Sequence, residues 1–132
     1  MNLEHLKHFS QSNSFFSAPR DWGMNTSHYS TPIYEGKWNY IIETLSKIAN
    51  DEPRTVTLKN NISEGKLQLC QKSLIFKFPD LIWIQAITID EYSSSVAIFS
   101  KAKYGKYDFG VNKKRVLRWI DKLSDKIPIK TS

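Results

Sequence analysis

Apolar residues recur every three or four positions in two stretches of the chain and every second position between them. Over residues 37–50, Trp38, Ile41, Ile42, Leu45, Ile48 and Ala49 fall on one face of a 3.6-residue repeat. Gly36 and Pro53 bracket this helix. A second stripe, Val116, Trp119, Ile120, Leu123 and Ile127, predicts a helix stopped by Pro128. Asn112 stands where its side-chain oxygen would cap that helix. Between the helices, residues 54–59 alternate with Val56 and Leu58 on one side. Residues 66–76 put Leu67 and Leu69 on one face and, after a phase change, Leu74 and Phe76 on one. Residues 81–89 are apolar on both faces early, which suits a central strand covered on two sides. Residues 96–104 return with Val96, Ile98, Ala102 and Tyr104 on one face. Turn signals separate the strands, at 60–65, at Phe78-Pro79-Asp80, where proline cannot donate to a ladder, and at 91–95. The order helix, four strands, helix predicts an α+β fold: a mainly antiparallel four-stranded sheet with two helices packed on its apolar face.

A length of 132 residues sets one domain, assigned to residues 21–132, with residues 1–20 as an extended N-terminal arm ordered by docking on something else. Such a chain buries roughly two thirds of its unfolded surface, enough for a core without staples. Hydrophobic residues at 40% and aromatics at 13% exclude disordered and collagenous classes. No apolar run reaches the ~20 residues of a membrane span, the longest being broken by Gln85. Cys70 is the single cysteine, so neither an internal disulfide nor a multi-cysteine zinc site is open to the chain. The N-terminus lacks a basic start followed by an apolar stretch, and no secretory signal is expected. A soluble or peripheral protein follows, in the cytoplasm or at a plastid or membrane surface. The net charge of +6 is unevenly spread: residues 99–132 carry ten cations and three anions. That basic end either attracts anions or is a solvated helix face.

The stretch from Ser100 to Arg115 resembles the hallmark of the uncharacterised family catalogued as domain of unknown function 1499. Gly105, Asp108, Gly110, Val111, Asn112 and Arg115 match its pattern, and Phe78-Pro79-Asp80 resembles its upstream Phe-x-Asp element. Pro19, Asn25, Thr26 and Ser27 resemble its N-terminal segment less closely. Lys101 stands where arginine is usual, and the leader or membrane anchor of many members is not expected here. The resemblance implies a fold but no activity. Members occur widely in proteobacteria, cyanobacteria and plastids, which implies a photosynthetic setting.

Within that stretch, Gly105 and Gly110 supply backbone angles a side chain would forbid. Lys113, Lys114 and Arg115 occupy the first turn of a helix, where the macrodipole disfavours cations by roughly 0.3–1 kcal/mol each. One explanation is a bound anion held by free helix amides, with Lys101 and Lys103 approaching from the strand before. The other, preferred, is internal pairing of Arg115 with Asp108 or Asp80 while the lysines face water.

Other candidates are weaker. His5 and His8 lack a third ligand, and His28 near Thr26 and Ser27 lacks a placed acid. Cys70 reads as a buried or edge thiol, and the four tryptophans as core or docking anchors. No Walker loop, dinucleotide fingerprint or metal-binding helix is present, so no cofactor and no metal are expected.

The expected function is a non-enzymatic accessory or interaction domain, a peripheral subunit of a larger photosynthetic assembly. An aromatic-bearing arm (Phe9, Phe15, Phe16, Trp22, Tyr29, Tyr34) and the one-sided basic end motivate a protein partner. The alternative is a small-anion or lipid-headgroup binder using Lys101, Lys103, Lys113, Lys114 and Arg115. A hydrolase would need His28, or Asp80 and Asp108, to converge in a pocket. Nucleic acid is not expected as a partner, because no exposed aromatics are read beside the basic cluster.

Overall fold

The longest strands are those whose alternate side chains find apolar cover on opposite faces. A computed structural model describes residues 1–6, 9, 12–23 and 27–131. Strands β1 (Ser14–Ala18), β2 (Tyr29–Ser30) and β3 (Tyr34–Glu35) precede helix α1 (Trp38–Asn50). Strands β4 (Thr55–Asn61), β5 (Lys66–Lys72), β6 (Pro79–Asp90) and β7 (Ser93–Ala102) follow, then helix α2 (Val111–Lys126). The result is an α+β fold in which β4 to β7 form an antiparallel meander.

The sheet departs from the four, mainly antiparallel strands expected: among the described residues it has seven strands, antiparallel except for one parallel pair. β1 adds antiparallel to the far end of β7, β2 pairs parallel with β1, and β3 pairs with the start of β7. The physical reason is local. All five residues of β1 are buried, so no alternation marks it, and β2 and β3 are two residues each. Residues 14–18, read from the sequence as part of an extended arm, are therefore a strand of the sheet. Of the aromatics that made the arm look like a docking element, all but Tyr29, which is 41% exposed, serve the protein's own core. Phe15, Phe16 and Tyr34 are buried, and Phe9 and Trp22 pack beside them.

One face of the sheet carries the helices. Phe15, Leu69, Ile82 and Ile98 meet Ile41, Ile42 and Leu45 of α1 and Val116, Trp119, Ile120 and Leu123 of α2. These are the helical stripes the spacing predicted. The opposite face holds a second cluster in which Phe16, Ala97, Phe99 and Ile87 are covered by Leu3, Leu6, Phe9 and Trp22. Trp83 stacks on Phe99 there, centroids 5.7 Å apart. β6 is thus covered on both sides. Val56 lies across from Cys70 on that outer face, and Val56 and Leu58 remain about half exposed.

Two predicted strand ends are shorter than the sequence pattern. β5 stops at Lys72, and residues 73–78 form a loop closed by Phe78 N–H donating to Ser73 Oγ and Ser73 N–H to the Phe78 carbonyl. Leu74 and Phe76, expected on a strand face, project into solvent instead. β7 ends at Ala102, so Tyr104 also lies in a loop.

Candidate functional site

Arg115 opens the second turn of α2, on the side that faces the sheet, and meets polar groups from three strands. Its Nε donates to Gln71 Oε1 (2.5 Å) on β5 and its Nη2 to Asp80 Oδ2 (2.8 Å) on β6. Its Nη1 donates to Ser100 Oγ (3.1 Å) on β7 and to Asn112 Oδ1 (2.8 Å) one turn back. Ser100 in turn donates to Asn112 Oδ1 (2.6 Å). Gln71, Ser100, Asn112 and Arg115 are all buried. Four of the five guanidinium N–H groups are engaged by these contacts. Burial pushes the Asp80 carboxyl above its ordinary range, outweighing the pull of Arg115, and the nearby Asp108 pushes the same way. Desolvation likewise lowers Arg115, although a guanidinium keeps its proton.

Asp108 completes the helix start. Its carboxylate accepts the amides of Gly110 (2.9 Å) and Asn112 (3.2 Å) and the Asn112 side-chain amide (2.7 Å). The helix begins at Val111 after Gly110, whose φ of +80° suits glycine. Asn112 is therefore not the cap expected of it. It lies one residue inside the helix, fully buried, and Asp108 caps from outside. A carboxylate at the positive end of the helix dipole also answers why cations are tolerated there.

A second cluster continues the first. Gln71 Nε2 reaches Glu52 Oε1 (3.4 Å), just past α1. Glu52 also accepts from Arg118, from Trp119 Nε1 (2.9 Å) and from Lys122 (3.0 Å). Desolvation acts to raise the Glu52 carboxyl, but these donors overcome it and take it from 4.5 to about 2. Glu52, Gln71, Arg118 and Lys122 escaped the sequence reading. The available signal was Gln71, a polar residue on the strand face that otherwise carries Leu67 and Leu69.

The lysines named as anion ligands lie outside this network. Lys101, Lys103, Lys113 and Lys114 are exposed, and none forms an ion pair among the described residues. Lys101 does not approach α2 as expected. Its neighbour Ser100 points to the helix, so strand alternation turns Lys101 to the opposite face. The loops beside them carry exposed apolar groups: Phe76 and Phe78 in the β5–β6 loop, and Tyr104, Tyr107 and Phe109 before α2. Exposed aromatics beside the basic cluster are therefore present, contrary to the reason given for setting nucleic acid aside.

In comparison with known proteins, residues 5–123 match the family described as "Protein of unknown function (DUF1499)". The chain belongs to the DUF1499 family. No curated protein and no solved structure matches it. Of the residues that carried the DUF1499 resemblance, Asp80, Asp108, Asn112 and Arg115 converge on the polar cluster. Phe78 does not, being exposed and stacked on Phe76 at 5.5 Å. Gly105 and Gly110 adopt φ of +88° and +80° in the loop before α2. Asn25, Thr26 and His8 lie outside the described residues, and His5 is exposed in a short 3₁₀ turn. His28 accepts the Phe16 N–H at Nδ1 (3.0 Å), and burial lowers it from 6.5. His28, Asp80 and Asp108 are thus each held in a structural bond. Among the described residues no helix is long and apolar enough to cross a membrane.

Proposed function

We propose that this DUF1499 protein is a binding module, an accessory and not a catalyst, that docks through the end of the sheet carrying loops 73–78 and 103–110. The observation that carries the reading is the exposure of seven large apolar side chains on those two neighbouring loops. The loops adjoin because Lys103 N–H donates to the Pro79 carbonyl (3.1 Å) and Asp80 pairs in register with Ala102. Monomeric proteins rarely leave large apolar groups clustered in water without a use for them. The Arg115 cluster acts as the rigid base: it ties the start of β6, the end of β7 and the start of α2 together directly beneath both loops.

The alternative, a small-anion or lipid-headgroup pocket at the start of α2, has less support. Asp108 already takes the amides an anion would use, and Arg115 is spent on Asp80, which leaves only exposed lysines. The docking reading is tested by hydroxyl-radical footprinting of Phe76, Phe78 and Phe109 in the purified protein and in cells. Protection in cells with full labelling in isolation is expected. Equal labelling in both refutes the reading, whatever the partner.

A further inference from the structure

The geometry points to an anionic lipid bilayer as the partner of this end, with the loop tips entering the headgroup–acyl boundary and the lysines meeting phosphate headgroups. The inference rests on the docking reading above and adds the chemistry of the partner. In the first loop Leu74, Ile75, Phe76 and Phe78 are 61–77% exposed, and the stacked rings of Phe76 and Phe78 form one projecting unit. In the second, Tyr104, Tyr107 and Phe109 are 66–92% exposed. Each loop holds one non-glycine residue in the left-handed region, Lys77 at φ +56° and Phe109 at φ +55°. That conformation is unfavourable for side chains of this size, and at 92% exposure Phe109 gains no internal packing in return. Strain held without an internal gain is found where function sets the shape.

Charge then selects the partner. Lys72 precedes the first loop and Lys77 lies in it, Lys101 precedes the second and Lys103 and Lys106 lie in it, and Lys113 and Lys114 stand in the first turn of α2; all are exposed and none is ion-paired among the described residues. The carboxylates of these segments, Asp80 and Asp108, are bonded to Arg115 and to helix amides. The outward charge is thus of one sign. Lysines around protruding Phe, Leu and Tyr are the composition of interfacial membrane contacts, with long stems lying along apolar surface and ammonium groups at headgroup level. Protein interfaces are instead depleted in lysine. Single-stranded nucleic acid is disfavoured because Leu74 and Ile75 offer no π-face and the exposed cations of these segments are lysines, not the arginines that stack on bases.

The test is sedimentation of the full chain with phosphatidylcholine vesicles, with and without phosphatidylserine. Binding is expected only with phosphatidylserine, and weaker as salt is raised. The double variant Phe76→Ser/Phe78→Ser should lose roughly tenfold or more in partitioning, as expected for removing buried aromatic area. Lys113→Gln and Lys114→Gln should each lose about fivefold. All variants should melt with the parent, because the replaced side chains are exposed. Absence of binding to anionic vesicles overturns the inference, as does anionic binding that the Phe76→Ser/Phe78→Ser change leaves intact. A thermal shift with inorganic phosphate alone, or capture of a single-stranded oligonucleotide in place of vesicles, overturns it too. Protection of the loops in cells without vesicle binding would leave the docking reading standing and remove the bilayer.

Discussion

Glu52→Gln removes one charge from the centre of the cluster that joins α1 to α2 while keeping an oxygen for Trp119 Nε1. The Glu52 side chain is 7% exposed, whereas its partners Arg118 and Lys122 are 42% and 47% exposed. Lowering its carboxyl from 4.5 to about 2 corresponds to about 3 kcal/mol at 1.36 kcal/mol per unit. Water around the two half-exposed cations screens part of that, so about 1.5–2 kcal/mol is the working figure. Because the folded value is depressed, this stability is fully present above pH 4.5 and is lost as pH falls toward about 2. Urea unfolding of the parent and of Glu52→Gln should therefore differ by about 1.5–2 kcal/mol at neutral pH. The gap should close progressively through the acid range between those two values. A gap that stays constant with pH would mean that shape, not the carboxylate charge, holds the two helices at this point.

Arg115→Met should destabilise by about 3–5 kcal/mol, since it leaves Asp80 buried without its partner, and adding Asp80→Asn should restore much of that loss in a double-mutant cycle. Asp108→Ala should cost about 1 kcal/mol in denaturant unfolding, the usual worth of a helix cap, and loosen the loop before α2 in hydrogen exchange. Phe109→Asn should raise stability by up to about 1 kcal/mol, because asparagine tolerates φ near +55° and nothing inside the protein loses contact. The same change should weaken vesicle sedimentation, and a stabilised protein with unchanged vesicle binding would exclude Phe109 from the docking surface.

Both helices and the meander β4–β7 were legible in the sequence because each writes its burial into a local period. Trp38 to Ala49 and Val116 to Leu123 repeat along helices whose one face meets the sheet, and Leu81 to Ile89 is apolar on both sides because both sides are covered. The preference for pairing Arg115 internally was legible too, since a helix start does not hold three cations without a reason. What the chain did not announce depends on residues distant in sequence. β1 is buried on every side by β7, α2 and the N-terminal residues, so it has no polar face to reveal it. Asn112 looks like a cap by position, but Ser100, Asp108 and Arg115 compete for its side chain, and only the fold decides that they win.

Periodicity thus determined which segments bury a face, because burial of alternate or every third side chain is a property of one element at a time. Only the tertiary structure decided what those faces meet. The phase at Leu74 and Phe76 reads equally as a strand or as a loop tip, and the answer depends on where Lys72 runs out of a partner strand. Glu52 joins Arg118 and Lys122 across more than sixty residues of chain, a contact that follows from helix packing and leaves no mark on either local pattern.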